Sequence, residues 1–534
     1  MKASAFPRKY GAFLLILVLC AGVFCLFGAR KAGLFIDEIY SYGLSNSDHA
    51  PYLSDLKGGE MRDALFTRQE LDRYLTVDGD GFAVGSVYYN QTKDVHPPLY
   101  YWVMNFVSSL VPGSSSKWIG LGVNLFFYLL TLAAIFHLAL LAFGSADAAS
   151  AAAALYGLSR LALSAGMLIR MYMMMTFFTV LLALLCLRAL REPGKTVWFL
   201  CLTPVIMLGL LTQYYFVFYA FFLCLAADVV FLCRKNFRAF WQFSLFALLG
   251  VALSLLAFPA ALQQIFRGNG QVVGGASVLE SLRGTAQYGE HLRTYLLARY
   301  QLQGIGWVLA VSALLLLPFL PRALRAGRER TFSSDVLIVL VPAIPAFLTV
   351  AILSPVQEFR YIYNLAPFAA LAAGGVLSAL EKSAGDFRFA AAMRKAALCL
   401  VVLAALWSVR QAPPDHLFPE MREYDARLAP VADKKCVYVT GYSAPPTQDL
   451  LQLRQFDDFL TVSDVASPAM QEYLDGEESY VLYIDVNPNW SSGYDADLVF
   501  YLLGEQGDYS GRELLYRYDF EGHGGLSETW LVRR

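Results

Sequence analysis

Apolar segments long enough to cross a lipid bilayer recur along most of the chain. A transmembrane helix needs about 20 predominantly apolar residues. Of the 534 residues, 57% are hydrophobic and only 16% are charged, which is more apolar surface than a soluble core can hide. We therefore predict a polytopic α-helical membrane protein with about eleven transmembrane helices, near residues 11–29, 118–142, 148–168, 171–190, 196–212, 214–233, 240–262, 300–320, 334–354, 361–380 and 396–410.

The first apolar run has a second interpretation, because the basic residues Lys2, Arg8 and Lys9 precede it as they would in a signal peptide. The run is long for a signal-peptide core, and Phe27 occupies a position where a cleavage site after Ala29 would need a small residue. We predict that the segment is retained as the first transmembrane helix.

Basic residues are concentrated in alternate loops, and this pattern predicts the orientation of the chain. Cytoplasmic loops carry an excess of Lys and Arg. The clusters all fall on the side of the N-terminus, which is therefore predicted to be cytoplasmic, and eleven spans then place the C-terminus outside. The clusters are Arg188, Arg191 and Lys195; Arg234, Lys235 and Arg238; Arg322, Arg325, Arg328 and Arg330; and Lys382, Arg388, Arg394 and Lys395.

Three segments that do not span the membrane are predicted to be external, namely the loops 30–117 and 263–299 and the tail 411–534. Within the first loop, residues 98–111 are apolar but short, so we predict a helix that lies at the membrane surface. The tail alternates strand-like runs (CVYVT, DFLTV, SYVLYID and LLYRYDF) with polar, helical stretches. We predict a transmembrane domain over 1–410 and a small external α/β domain over 411–534.

Charge and cysteine content exclude several classes of function. The net charge is −1, so nucleic acid is not an expected partner. Of the eight cysteines, all but Cys436 lie in or beside apolar runs, which is typical of small buried hydrophobic residues rather than of disulfides or metal ligands.

Adjacent carboxylates follow the first span in GLFIDEIYSYG, at Asp37 and Glu38. Neighbouring side chains point in different directions on a helix or a strand, so one of the two would face a site while the other supports it. A carboxylate near a dry interface can act as a general base towards a hydroxyl group. The alternative is an acidic pair that merely marks a helix boundary, and the dipeptide alone favours that alternative.

A second cluster, KDVHPPLYYW, holds Asp94 and His96 in a backbone that two prolines restrict. The aromatic residues that follow are ordinary at a membrane interface, whereas a rigid Asp-x-His before them is less common.

Two arginines lie on the predicted external side, against the usual charge bias. Arg170 precedes Tyr172 in LIRMYMMM, and Arg360 precedes Tyr361 in QEFRYIYNLAP. A guanidinium group can bind two phosphate oxygens at once, so both could hold a lipid phosphate. The alternative is an arginine that only contacts lipid headgroups. Other cations of the second external loop could contribute, and these are Arg283, His291, Arg293 and Arg299.

The order of these motifs resembles a known family. An external Asp-Glu, then D-x-H-P-P-L-Y-Y-W, then R-x-Y, then a late R-Y with N-x-x-P is similar to GT-C glycosyltransferases over residues 11–410. The nearest resemblance is to the bacterial family 39 group of dolichyl-phosphate-mannose-protein mannosyltransferase-like proteins, which includes the lipid A aminoarabinose transferases. One departure is that SAGMLIRMY lacks the proline and the Ser-Arg/Glu run that members of the family often have before R-x-Y.

The resemblance implies the GT-C fold and the inverting transfer of a sugar from a polyprenyl-phosphate donor to an acceptor in the cell envelope (a lipid, a glycan or a protein). It implies that Asp37 is the catalytic base, with Glu38 beside it. The remaining site residues that it implies bind substrate or phosphate, and they are Asp94, His96, Arg170, Tyr172, Arg360 and Tyr361. Members of this group generally require no metal cofactor, although the carboxylates Asp37 and Asp94 would permit a divalent ion.

Two other classes of function fit parts of the sequence. A transporter or flippase of a lipid-linked sugar would use the same arginines but would not need Asp37. A non-catalytic membrane scaffold would depend on its tail. The membrane part shows no internal repeat and few charges within its spans, Asp228 being the clearest, and both features weigh against transport.

Overall fold

The computed structural model describes residues 6–79, 81–267, 334–354, 358–383, 390–441, 445–486, 494–505, 510–519 and 526–534. The predicted span at 300–320 lies outside the described residues, as do the candidate cations Arg283, His291, Arg293 and Arg299. Contacts divide the chain into two compact units. The first comprises 1–29, 94–100 and 120–416, and the second comprises 30–93, 101–119 and 417–534.

The first unit is helical. Its elements, some of which begin or end in the second unit, are α1 (Phe6–Arg30), α5 (Leu99–Ser109), α6 (Lys117–Phe143), α7 (Ala146–Gly157), α8 (Arg160–Met167), α9 (Tyr172–Arg191), α10 (Thr196–Thr212), α11 (Phe216–Cys233), α12 (Phe237–Ala257), α13 (Ala260–Arg267), α14 (Ser334–Leu340), α15 (Ala343–Leu353), a 3-10 helix (Phe359–Leu365), α16 (Ala366–Ser383) and α17 (Ala390–Gln411). Of these, α5 has only Leu99 and Tyr100 in the first unit, and the rest of it belongs to the second. The helices α2 to α4 belong to the second unit and are given below.

Seven helical segments of the described part of the chain are long and apolar enough to cross a membrane, and α10 is a shorter apolar helix of the same kind. Large apolar side chains remain exposed along them, as at Trp241, Leu245 and Leu248 on one face of α12. Such a surface is stable in contact with lipid but not in contact with water. The chain is a multi-pass membrane protein, and the predicted fold class is confirmed.

The predicted single span at 148–168 is wrong, because two helices, α7 and α8, replace it. The break is stabilised by hydrogen bonds that satisfy the helix ends. The Ser159 side chain accepts a hydrogen bond from the main-chain N–H of Ala162, as an N-cap does. The hydroxyl of Tyr128 donates to the carbonyl oxygen of Gly157 at 2.6 Å. Hydropathy alone could not show this break, since both halves are apolar.

Small residues allow helices of the first unit to pack closely. A Cβ atom added at Gly250 of α12 would lie 2.7 Å from the carbonyl oxygen of Thr203 on α10. One added at Gly374 of α16 would lie 2.8 Å from the Cβ of Ala152 on α7. Lipid solvates apolar side chains as well as a neighbouring helix does, so burying them does not drive helices together in a membrane. Close approach of the backbones at small residues is therefore a usual source of helix association there.

The second unit contains α2 (Ile36–Asn46), a 3-10 helix (Leu53–Lys57), α3 (Arg68–Leu75), α4 (Val84–Lys93) and a six-stranded sheet. The strands are β1 (Ala64–Thr67), β2 (Cys436–Val439), β3 (Asp458–Val462), β4 (Ser479–Asp485), β5 (Gly511–Asp519) and β6 (Leu526–Arg533), in the spatial order β1-β3-β2-β4-β6-β5. β2 pairs in parallel with β3 and β4, and the other pairings are antiparallel.

Four of these strands correspond to the strand-like runs predicted in the tail. β6 was not predicted, since its sequence LSETWLVR mixes polar and apolar residues without clean alternation. β1 was not predicted either, and it comes from the first loop rather than the tail. Its four residues pair antiparallel with β3, with Phe66 opposite Phe459 and the two rings stacked at 5.1 Å. Short edge strands give almost no signal in a sequence.

The remaining helices of the second unit surround this sheet. They are α18 (Met421–Leu428), a 3-10 helix (Ala429–Val431), α19 (Pro445–Gln448), α20 (Leu450–Leu453), α21 (Pro468–Tyr473) and α22 (Ala496–Glu505). The core of the sheet is built from side chains such as Val437, Leu460 and Leu482, all of which are buried.

Replacing Gly43 by alanine should destabilise the second unit. A Cβ atom there would lie 2.1 Å from the ring of Tyr74, whose hydroxyl is itself bonded to the carbonyl of Pro51 at 3.0 Å. We expect Gly43→Ala to lower the free energy of unfolding by about 1–3 kcal/mol through overpacking. The measurement is the temperature at which half of the detergent-solubilised protein stays monodisperse. Gly85→Ala is the matched control, because a Cβ at Gly85 meets nothing within 4 Å. Equal stability of the two variants would contradict the prediction.

Candidate functional site

Three of the predicted site residues come together in the first unit. The Nδ1 atom of His96 lies 2.8 Å from Oδ2 of Asp94, and a terminal nitrogen of Arg170 lies 3.4 Å from Nε2 of the same imidazole. The same nitrogen of Arg170 lies 3.5 Å from Nδ1, so the guanidinium group faces both ring nitrogens of the imidazole. The carboxylate, the imidazole and the guanidinium thus form a chain, and we call these three residues the Asp94–His96–Arg170 triad.

The turn between α8 and α9 presents Arg170, and a buried asparagine fixes that turn. The Nδ2 atom of Asn124 on α6 donates to the carbonyl oxygens of Gly166 and Leu168, at 3.0 and 2.7 Å. Gly166 lies in the last turn of α8 and Leu168 is its C-cap, where helices leave carbonyl groups without a partner inside the helix. The hydroxyl of Tyr100 completes the contact by donating to Oδ1 of Asn124 at 3.3 Å. Asn124 was not predicted, although a lone amide within an apolar span was a usable signal.

The backbone of Asp94 is held from another direction by Gln264 of α13. The Nε2 atom of Gln264 donates to the main-chain oxygen of Asp94 at 2.8 Å, and its Oε1 accepts from the hydroxyl of Tyr214 at 2.6 Å. Gln264 is buried. Gln264 was not predicted, because a glutamine at the end of an apolar run carries no distinguishing pattern.

Burial and neighbouring cations act in opposite directions on the carboxyl group of Asp94. Burial alone would raise its pKa, but the charge and hydrogen bond of His96 and the charge of Arg170 together hold the pKa below its ordinary value. Burial, with a smaller contribution from Asp94, raises the pKa of the nearby Tyr214. Asp94 is therefore an anion and Tyr214 a neutral hydroxyl at neutral pH.

The predicted tyrosines form an aromatic group with two others. The ring of Tyr361 stacks on that of Tyr215 at 4.5 Å and lies 6.3 Å from that of Tyr172. Tyr363 also packs edge-on against Tyr172, at 6.2 Å. The guanidinium of Arg360 lies 5.6 Å from the ring of Tyr361. This aromatic group brings the two segments that carry Arg170 and Arg360 next to each other.

A further ion pair of the first unit was not predicted. Arg160, at the first turn of α8, contacts Oδ1 of Asp415 at 2.5 Å, and the hydroxyl of Ser164 donates to Oδ2 at 3.1 Å. Ser164 also accepts from the main-chain N–H of Asp415 at 2.9 Å. The pair fixes the helix that leads to Arg170 to the chain that follows α17.

Asp37 and Glu38 belong to the second unit, in the first turn of α2. The side chain of Glu38 is fully buried, and its Oε2 atom lies 2.9 Å from Nζ of Lys31 and accepts a hydrogen bond from the main-chain N–H of Phe35 at 2.6 Å. Asp37 is partly exposed, and its main-chain oxygen accepts from the hydroxyl of Ser41. The two carboxylates therefore occupy different environments, as expected for adjacent residues on a helix.

Within the described ranges, no group of three or more His, Cys, Asp or Glu side chains is arranged to hold a metal ion.

Comparisons with known proteins agree on a class of fold. Residues 95–262 match the family model for dolichyl-phosphate-mannose-protein mannosyltransferase. The chain is similar to crystal structures of ArnT from Cupriavidus metallidurans, bound to undecaprenyl phosphate (12% identity, TM-score 0.52, covering 97% of this chain and 98% of that one) and in the apo state (11% identity, TM-score 0.52, 98% of both). A sequence comparison with curated proteins gives no match.

The matched segment, 95–262, contains His96, Asn124 and Arg170. The fold similarity to ArnT extends over nearly the full length of both chains. The predicted resemblance is confirmed for residues 95–262, which match the family model, and the chain has the GT-C fold.

Replacing Asp94 by asparagine should weaken the first unit by an amount that does not depend on pH in the mildly alkaline range. An asparagine side chain would still accept a hydrogen bond but would remove a counter-charge from the buried cation of Arg170, at a cost of about 1–3 kcal/mol. Because the folded pKa of Asp94 is lowered, the carboxylate stabilises the protein above an unfolded pKa of about 3.9, and this stabilisation is lost as the pH falls through the lower folded value.

The loss of thermal stability caused by Asp94→Asn should therefore be constant between about pH 7.5 and pH 9, well above the ordinary pKa values of both a carboxyl group (about 3.9) and an imidazole (about 6.5). The measurement is the thermal stability of the wild type and the variant in detergent across this range. Asp147→Asn, which removes a carboxylate from the first turn of α7, is the control. A difference that changes within the range would mean that Asp94 titrates there and would contradict the assignment.

Proposed function

We propose that this chain, which has the fold and the family match of a GT-C glycosyltransferase, transfers a sugar from a polyprenyl-phosphate donor to a hydroxyl group of an envelope lipid, glycan or protein. The reaction is assigned to the outer face of the membrane, with the N-terminus in the cytoplasm and the C-terminal region outside. The alternation of basic loops in the sequence supports this orientation.

The observation that carries the proposal is the buried guanidinium of Arg170 in the triad. Arg170 is 3% exposed and lies in the turn just before the apolar helix α9, within the segment that matches the family model. A buried cation interacts more strongly with an anion than a cation in water does, because the surroundings screen it less. A planar guanidinium also matches the geometry of phosphate oxygens. These properties suit a group that binds the phosphate of a lipid carrier.

In the proposed reaction, Asp37 removes the proton of the acceptor hydroxyl as its oxygen attacks the anomeric carbon of the donor sugar. The bond between that carbon and the phosphate oxygen breaks, and its electron pair leaves with the polyprenyl phosphate. A single displacement of this kind inverts the configuration at the anomeric carbon. Arg170 and Arg360 would stabilise the charge that develops on the leaving phosphate.

The other predicted residues are assigned supporting roles. Asp94 and His96 would hold the guanidinium of Arg170 in one orientation, and preorganised charge of this kind is the largest catalytic contribution in many enzymes. Tyr172 and Tyr361, as members of the aromatic group, would line the path of the donor. No metal cofactor is assigned, and a chelator added to the assay tests this.

Asp37→Asn should greatly reduce the rate of transfer while leaving the protein folded. Asparagine keeps the shape of the side chain but cannot accept a proton at neutral pH, and general bases typically contribute about 10²–10⁴-fold to the rate. The assay measures sugar transfer in membranes or proteoliposomes supplied with a panel of polyprenyl-phosphate sugars. Asp48→Asn is the control, because the side chain of Asp48 is 88% exposed on the same unit.

Three outcomes of this assay would contradict the proposal. Undiminished transfer by Asp37→Asn would refute the base assignment. Absence of transfer by the wild type across the panel, together with movement of a lipid-linked sugar across the bilayer, would favour a flippase. A product that retains the anomeric configuration would exclude a single displacement.

Arg170→Lys should impair catalysis more than its conserved charge suggests. Lysine keeps the cation but loses the planar fork that would bind two phosphate oxygens. We expect kcat to fall about 10²-fold, the scale observed when one group that stabilises developing charge is removed. Arg188→Lys, at the opposite end of α9, is the matched control. A kcat equal to that of the wild type would remove Arg170 from the phosphate-binding role.

A further inference from the structure

Glu38 and Lys31 form the most deeply buried ion pair among the pairs that the structure describes. Both side chains have 0% exposure, with Nζ of Lys31 at 2.9 Å from Oε2 of Glu38. Burying a pair of charges costs solvation free energy, and removing one partner leaves the other charge in a medium that cannot solvate it. A carboxylate in this state is held by its counter-ion, which limits its freedom to exchange a proton with a substrate.

The same carboxylate also determines where α2 begins. Oε2 of Glu38 accepts the main-chain N–H of Phe35, three residues earlier, at 2.6 Å. This is the N3-to-N-cap half of a capping box, and it satisfies an N–H group that the helix itself cannot. Asp37 lies between the two bonded positions, at N2, so the direction of its side chain follows from the geometry of this turn.

Two other parts of the second unit hold Lys31 and its neighbour Ala32 in place, namely the first residue of α6 and residues 417–418. The ammonium group of Lys31 lies 4.9 Å from the ring centre of Phe418. Its main-chain oxygen accepts a hydrogen bond from Nζ of Lys117. The N–H of the following residue, Ala32, donates to the carbonyl of Leu417 at 2.7 Å. The ion pair therefore connects the first turn of α2 to the start of α6 and to the first residues of the tail.

We propose that Lys31 and Glu38 are positioning residues, which act as a pair to fix the orientation of Asp37, and that Glu38 is not a second catalytic carboxylate. This inference rests on the proposed function, since it concerns the base of that reaction. It also gives the C-terminal region a part in the chemistry, because Phe418 and Leu417 support Lys31.

A neutral replacement of the whole pair provides the test. Lys31→Met leaves the Glu38 carboxylate buried without this counter-ion. Glu38→Gln leaves the ammonium group of Lys31 buried without the charge of this carboxylate. The double variant has neither charge, and Gln at position 38 can still accept the N–H of Phe35, since Glu and Gln both serve at N3 of a capping box. If the pair acts only by positioning, the double variant should recover activity that each single variant loses.

The readouts are kcat and KM of sugar transfer, measured on the monodisperse fraction of each variant. We expect kcat of each single variant to fall by about 10²-fold, the scale of a small displacement of a catalytic group, with KM of the donor little changed. The double variant should return to within a few-fold of the wild-type kcat. A pair that only stabilised the fold would lower the yield of folded protein and leave kcat of the remaining fraction unchanged.

An exposed ion pair of the same unit serves as control. Arg73 and Asp78 interact at 3.1 Å with side chains 56% and 62% exposed, so Arg73→Met, Asp78→Asn and their combination should all retain wild-type kcat. Lys31→Arg, which keeps the charge, should retain more activity than Lys31→Met. If the double variant does not fold, this comparison decides: equal kcat for Lys31→Arg and Lys31→Met would overturn the proposal.

The remaining outcomes distinguish the positioning role of the ion pair from the proposed function itself. A folded double variant that is as inactive as Glu38→Gln would show that Glu38 contributes its own carboxylate and would overturn the positioning role. Wild-type kcat in both single variants would also overturn it. By contrast, absence of wild-type transfer, or full activity of Asp37→Asn, would overturn the proposed function itself.

Discussion

A guanidinium group buried at the end of a transmembrane helix is the constraint on which the arrangement of the first unit depends. Arg170 is 3% exposed, and a cation in that position must be compensated by nearby polar groups. Asp94 and His96 supply this compensation through the short chain of contacts in the triad. Their own placement requires the rigid Pro-Pro segment and Gln264 on α13, while Asn124 fixes the turn that carries Arg170. The contacts that compensate this one buried charge therefore connect four separate parts of the chain.

The features predicted from the sequence were those that depend on local pattern. Span-length apolar runs predicted the membrane helices because a bilayer imposes one length on every helix that crosses it. Asp94, His96, Arg170, Tyr172 and Tyr361 were predictable because polar and aromatic groups stand out beside such runs. The structure brings the first three into one triad and the two tyrosines into one aromatic group.

The features that were missed depend on contacts between distant residues. Gln264 supports Asp94 from 170 positions away, and Asp415 pairs with Arg160 across 255 positions, so neither has a local signature. The division of 148–168 into two helices was missed for a different reason. Ser159 ends one helix and begins the next within an uninterrupted apolar run, and hydropathy is insensitive to such a change of direction. Glu38 was identified, but its burial with Lys31 could not be read from their spacing of seven residues.

The strand β1 has a consequence for how the protein is made. It pairs with β3, and the hydroxyl of Thr461 donates to the carbonyl oxygen of Met61, 400 residues earlier in the chain. Chains are synthesised at about 5–20 residues per second, so this segment of the first loop waits for tens of seconds before its partner strand exists. Until then its N–H and C=O groups present an open edge, and open edges are prone to pair with other chains. The brevity of β1 and the charged residues on either side of it, Asp63 and Arg68, reduce that hazard during the wait.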